Sequence, residues 1–184
     1  LLTNGTLLDS QTAARLRQLP NVVPMLSLEG DSAQTDARRG PGTHLLLLEA
    51  MGRLRRQGTF FGCSLTLTRR NFATVLADPY AAQLVAAGCR FFLLLDYTPT
   101  DEATSDWVLT AAQRSQVAAR VAALKRRHRA LFIAVPWDEM AVGGCLAGGR
   151  GFVHINAAGV LVPCPFAPYS DTSLRTAPLA DALR

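Results

Sequence analysis

The sequence has no apolar stretch long enough to cross a bilayer. Its longest runs, such as Leu45 to Leu48 and Phe91 to Leu95, fall far short of the roughly 20 residues a membrane helix requires, so no membrane partner is expected. A signal peptide is missing too: Leu1-Leu2-Thr3-Asn4-Gly5 shows neither a basic region nor an apolar core with a small-residue cleavage site, which makes a reducing, cytoplasmic setting the default. Cysteine is scarce. Cys63, Cys89, Cys145 and Cys164 are too few and too widely spaced for the disulfide framework of a small secreted protein, leaving burial or metal ligation. Dense positive charge is lacking despite a net charge of +5: basic residues cluster only at Arg53 to Arg56 and Lys125 to Arg129. Both clusters fall at expected helix C-termini, where cations complement the helix dipole, so no specific nucleic-acid partner is expected. There is no internal repeat and no low-complexity segment.

What is present is an alternation of short β-like runs with helical patterns across 184 residues, the signature of βα units around a parallel sheet. Strands are expected at Val22 to Leu28, Phe60 to Leu67, Arg90 to Tyr97 and Leu131 to Val135, with Leu1-Leu2 as the tail of an earlier strand. That opening implies further chain upstream of Leu1, because an intact domain normally starts at an exposed, dispensable terminus. Helices are expected near Ser10 to Gln18, Thr43 to Arg56, Tyr80 to Ala87 and Thr110 to His128, with Ser10, Thr43 and Thr110 as N-caps. After Pro136 the rhythm changes to the glycine-rich Gly143-Gly144-Cys145-Leu146-Ala147-Gly148-Gly149 and a hairpin around Asn156 to Gly159. The expected division is therefore residues 1–138 and 139–184.

Alternation along Phe60 to Thr68 sends Phe61, Cys63, Leu65 and Leu67 to one face, and Gly62, Ser64, Thr66 and Thr68 to the other. The interior of a filled (β/α) barrel is packed with branched apolar side chains, so an inward row of Ser and Thr implies a wet or ligand-filled cavity. Ser27 and Glu29 share a parity at the C-terminal end of their strand, the end where parallel α/β sheets bind ligands.

Thr3-Asn4-Gly5, then Ser27-Leu28-Glu29-Gly30 with Arg38-Arg39-Gly40, then Gly62 to Asn71 and Asp96-Tyr97-Thr98-Pro99 resemble, in order and spacing, the middle of radical S-adenosylmethionine (SAM) enzymes. Cys145, thirteen residues, Gly159, four residues, Cys164 is similar to the opening of the SPASM extension that carries auxiliary 4Fe-4S clusters in that superfamily. The resemblance implies an incomplete (β/α) TIM-like barrel followed by the beginning of a cluster-binding module. It also implies the cofactors SAM and a SAM-cleaving 4Fe-4S cluster, whose CxxxCxxC loop has no counterpart in these residues, so the chain alone is expected to be inactive. In the implied reaction an electron from that cluster cleaves SAM to methionine and a 5′-deoxyadenosyl radical, which abstracts a substrate hydrogen. An external electron donor such as a flavodoxin or ferredoxin is implied, and a peptide or protein is the favoured substrate class.

On that resemblance Ser27 and Glu29 address the ribose or amino end of SAM. Arg39, with Arg38 as the alternative, pairs with the SAM carboxylate, Asn4 orients the same ligand, and Thr66 and Thr68 line the adenosine or substrate cavity. Cys145 and Cys164 are the expected ligands of an auxiliary 4Fe-4S cluster. Cys63 and Cys89 read as buried thiols. Two other readings stay open: a non-catalytic barrel acting as a binding or scaffold domain, which would hold neither iron nor SAM, and a zinc site at Cys145 and Cys164, since thiolates suit zinc as well as iron.

Overall fold

The computed structural model describes residues 1–167 and 169–183 and falls into two compact units, Leu1–Asp138 and Glu139–Arg184. In the first, five parallel strands lie side by side in chain order: β1 (Leu2–Thr3), β2 (Met25–Leu28), β3 (Gly62–Leu67), β4 (Phe91–Asp96) and β5 (Leu131–Val135). Crossovers between parallel strands are right-handed, so an order that never reverses places every connecting helix on the same face. The result is the arc of a barrel, with β1 and β5 as open edges, rather than a sheet covered on both sides.

The connections are α1 (Ser10–Arg17), the pair α2 (Ser32–Arg39) and α3 (Thr43–Arg56), the pair α4 (Phe72–Val75) and α5 (Asp78–Ala87), and a 3-10 turn (Glu102–Trp107) leading into α6 (Ala111–Arg127). A single core lies between these helices and one sheet face. Leu26, Cys63, Phe92 and Phe132 form one cross-strand row, and Leu28, Leu65, Leu94 and Ala134 the next; all eight are buried. Met51 and Leu54 of α3, Leu84 of α5 and Val117 and Val121 of α6 close over them. Phe92 and Phe132 stack with ring centroids 4.3 Å apart, so aromatic packing reinforces the β4–β5 seam.

The opposite face reads Ser27, Ser64, Leu93, Ile133, then Thr66, Leu95, Val135 in register. It is hydroxyl-bearing on β2 and β3, apolar on β4 and β5, and half-buried except at Ser64, which is buried. The parity expected for β3 is thus the one observed.

Local signals explain most helix boundaries. Thr110 caps α6 in a reciprocal box with Gln113, and Gly88 ends α5 in the left-handed conformation. The basic runs do lie in the last turns of α3 and α6. Two caps differ from expectation. Asp9 caps α1 in place of Ser10, its carboxylate accepting from Thr12 N at 2.7 Å. Gly42 occupies the cap position of α3, while the hydroxyl of Thr43 turns back to donate to Arg39 O. Replacing Thr110 with Ala removes the acceptor for the Gln113 N–H at 3.1 Å; a loss of about 1 kcal/mol in urea-unfolding free energy is expected.

The second unit contains a 3-10 turn (Glu139–Val142), the hairpin β6 (His154–Ile155) and β7 (Leu161–Val162), and the short helix α7 (Leu179–Ala182). The Asn156 side chain organises the hairpin turn by accepting from Ala158 N and Val160 N. Among the described residues no helix is long and apolar enough to cross a membrane.

Candidate functional site

The C-terminal ends of β2 and β3 and the first turns of α2 enclose a cavity of about 290 Å³, walled by Glu29, Ala33, Gln34, Ala37, Arg38, Thr68, Arg70, Asn71 and Trp107. Its size is near the lower end of the roughly 300–1,000 Å³ typical of small-molecule sites. Helix α2 positions much of this wall. Asp31 caps it in a reciprocal box with Gln34, and Gln34 reaches on to donate to Arg70 O and Thr74 Oγ1. Gly30, with φ +133°, makes the turn from strand to helix; a Cβ there would lie 1.9 Å from Gln34 Oε1, so the approach requires glycine. Two buried hydroxyls fix that turn, as Thr35 Oγ1 and Tyr80 Oη both donate to Gly30 O, at 3.0 and 2.7 Å. Burial pushes the Tyr80 phenol well above its usual range, keeping it a neutral donor.

Glu29, only 2% exposed, is the electrostatic centre. Arg38 Nη1 donates to its Oε2, and Arg39 Nε and Nη2 donate to its Oε1 at 2.9 and 2.5 Å. A buried carboxylate is tolerable only when paired and hydrogen-bonded, and here two guanidinium groups do both. With side chains 32% and 27% exposed, the two arginines keep access to ligand or solvent. Together the trio carries one surplus positive charge beside the cavity. The Arg38 guanidinium also lies 5.6 Å from the Trp107 ring and 5.9 Å from that of Tyr97, and Arg70 lies 5.1 Å from Trp107, a cation–π cluster completed by the exposed Arg70–Asp106 ion pair.

Asn71 ties the floor together. Its Oδ1 accepts from Thr68 N at 2.7 Å, while Nδ2 donates to Glu29 O and Thr66 O, both at 2.8 Å. It thereby joins the end of β2 to that of β3. Sequence reasoning gave Asn71, Gln34, Arg70 and Trp107 no role. The Asp31-x-x-Gln34 capping box was the available signal for α2; contacts of Arg70 and Trp107 depend on two loops meeting, which local pattern does not encode.

The other proposed residues are placed as follows. Ser27 is half-buried on the open face of β2, opposite Ser64. Thr66 and Thr68 follow on β3 and just beyond it, and of these only Thr68 lines the cavity. Asn4, exposed after β1, spends its Oδ1 on Thr6 N and Oγ1. Arg39 has its fork on Glu29, so two residues assigned to different parts of one ligand contact each other. Cys63 and Cys89 are both buried, and burial pushes the Cys63 thiol well up, in keeping with inert core thiols.

In the second unit Cys145 is exposed and Cys164 half-buried, both free. Gly148 N donates to Pro163 O at 3.1 Å, tying the glycine loop after Cys145 to the residue before Cys164. Ala147 N donates to Cys145 Sγ at 3.4 Å, the kind of N–H···S contact that tunes cluster thiolates. Among the described residues no three His, Cys, Asp or Glu side chains are grouped as a metal site.

Asp96, at the end of β4, pairs with Arg114, yet its Oδ1 is buried without a hydrogen-bond partner. Burial raises its carboxyl above the ordinary 3.8 despite Arg114. A raised folded-state value means the folded chain holds the proton more tightly than the unfolded one, so ionised Asp96 costs stability above that value. Asp96→Asn is expected to equal or exceed the parent in stability at neutral pH. The difference should vanish as pH falls through about 4, as followed by urea unfolding at each pH.

No family model matches the chain. An AdoMet-dependent heme synthase from Methanosarcina barkeri (strain Fusaro / DSM 804) is 25% identical over an alignment covering 98% of this chain and 58% of the relative. Among solved structures, Streptococcus suis SuiB bound to S-adenosylmethionine superposes with a TM-score of 0.68 at 16% identity, covering 98% of this chain and 46% of SuiB; SuiB is also solved bound to the precursor peptide SuiA. The protein anSMEcpe, solved with AdoMet and the Cp18Cys peptide, gives 0.67 at 16% identity over 95% of this chain and 53% of its own. The chain thus spans 58% of the length of the curated relative and about half that of these solved ones. In fold the chain is similar to SuiB and anSMEcpe, and in sequence along nearly its whole length to the AdoMet-dependent heme synthase.

Proposed function

We propose that the whole protein is a radical SAM enzyme and that these residues supply part of its SAM site together with ligands of an auxiliary 4Fe-4S cluster. The observation that supports this best is the Glu29–Arg38–Arg39 trio beside the cavity at the C-terminal strand ends. Glu29 holds both guanidinium groups, so that Arg39, or Arg38, presents its remaining N–H donors to the SAM carboxylate without the entropy loss of ordering a free side chain. Ser27 and Glu29 address the ribose or amino end, Asn4 orients the same ligand, and Thr66 and Thr68 line the adenosine or substrate side. A SAM-cleaving 4Fe-4S cluster supplies the electron that breaks SAM, fed by a donor such as a flavodoxin or ferredoxin; this chain's residues bind, orient and exclude water. The peptide-bound states of SuiB and anSMEcpe favour a peptide substrate here.

The test is SAM titration of the anaerobically prepared whole protein, with iron, sulfide and zinc analysis. Ser27→Ala and Glu29→Ala are each expected to weaken SAM binding about tenfold, or roughly 1.4 kcal/mol, with iron content unchanged. Absence of both iron and SAM affinity in the parent would favour the scaffold reading, and zinc at the cysteines the zinc reading.

A further inference from the structure

We infer that Arg150 and Glu139 are positioning residues that hold the Cys145 loop in its ligating form before a metal arrives; the inference rests on reading Cys145 as a cluster ligand. The Arg150 guanidinium donates through Nη1 to Gly143 O at 3.2 Å and to Cys145 O at 2.9 Å, and through Nη2 to Val142 O at 3.3 Å. Glu139 approaches the same segment. Its Oε1 accepts from Leu146 N at 3.4 Å, and its main-chain oxygen accepts from Gly144 N at 2.9 Å. The Cys145–Leu146 peptide unit is thus held at both ends, its carbonyl by a guanidinium and its N–H by a carboxylate.

Backbone conformation makes this convergence possible. Gly143 and Gly144 have φ of +88° and +102°, which rotates successive peptide units so that three carbonyls in four residues meet one guanidinium. At Gly143 the left-handed backbone conformation is what favours glycine, since a β-carbon there would sit in ordinary contact, 3.4 Å from Arg150 Nη2. An exposed arginine gains little from trading water for carbonyl oxygens. Three such contacts from one side chain therefore make sense as a geometric clamp, for which the planar five-donor fork is suited and an ammonium is not. Glu139 is 7% exposed, and a carboxylate so buried calls for hydrogen-bond donors, of which the Leu146 N–H is one. Outer partners that orient a ligand typically contribute 10–100-fold in metal affinity.

The experiment follows loss of auxiliary iron from the anaerobically reconstituted whole protein to a chelator, with iron and sulfide counted and folding checked by circular dichroism. Arg150→Gln and Arg150→Lys are both expected to release that iron about tenfold faster than the parent, although the lysine keeps the charge. Glu139→Gln retains an oxygen to accept the Leu146 N–H and should match the parent, whereas Glu139→Leu should behave like the arginine variants. Parent-like release from both arginine variants, or equal release from Glu139→Gln and Glu139→Leu, would overturn the inference. A Cys145→Ala/Cys164→Ala protein run alongside separates the two levels. If it keeps its full iron count the cluster reading itself fails; if it loses iron while the arginine variants do not, only the positioning role fails.

Discussion

Replacing Asn71 with Ala is expected to cost about 3 kcal/mol of folding stability, and replacing it with Asp at least as much. The side chain is buried and makes three main-chain hydrogen bonds, from Thr68 N and to Glu29 O and Thr66 O. Each buried group left unpaired costs roughly 1–3 kcal/mol; water entering from the adjoining cavity would recover part of the sum. The aspartate variant separates shape from hydrogen bonding. It keeps the acceptor for Thr68 N but turns the donor into a second anionic oxygen facing two carbonyls. Because Asn71 bridges the ends of β2 and β3, its loss should also release the Glu29 backbone, and SAM affinity should fall with stability. Urea unfolding with SAM titration of the same proteins measures both. An Asp variant as stable as the parent would show that Nδ2 does not hold those carbonyls.

Asn71 also shows where legibility in the sequence stops. Strands were readable because side-chain parity is local: the apolar and hydroxyl faces of β3 fall as alternation requires, and β5 at Leu131–Val135 and α3 at Thr43–Arg56 have the expected bounds. Helix α2 was not readable as a helix. It has eight residues and only Thr35 buried, so no apolar stripe announces it, and Arg38 and Arg39 look like a basic loop. Once α2 forms, those arginines fall nine and ten residues after Glu29 and yet meet its carboxylate. Glu29 was identifiable as a polar residue at a strand end and Arg39 through the family resemblance; their pairing was not, because it depends on a helix signalled only by its cap. His128 is a similar case. It caps the basic end of α6, yet its side chain is only 12% exposed, with Nε2 2.9 Å from Asp78 Oδ1 and its ring tilted against Phe132, because α6 delivers it to the start of α5.

Loss of about four irons per chain is the expected result of replacing Cys145 and Cys164 together with Ala in the whole protein, with the iron of the SAM-cleaving cluster retained. Four is the usual composition of such thiolate-held centres. On the proposed reading the pair would supply two ligands, and the remaining ones would come from other residues of the whole protein or from substrate. Exposure speaks against a packing role for Cys145. Cys145 is exposed, whereas Cys63 and Cys89 show what structural thiols look like here, fully buried in the core. Truncating an exposed thiol should cost well under 1 kcal/mol of packing, so a large change in metal content without a change in folding would be specific to ligation. Metal analysis and electron paramagnetic resonance of anaerobically prepared parent and variant decide the matter. An unchanged iron count would make the pair structural, and loss of zinc in place of iron would assign the thiolates to a zinc centre, for which their chemistry is equally suited.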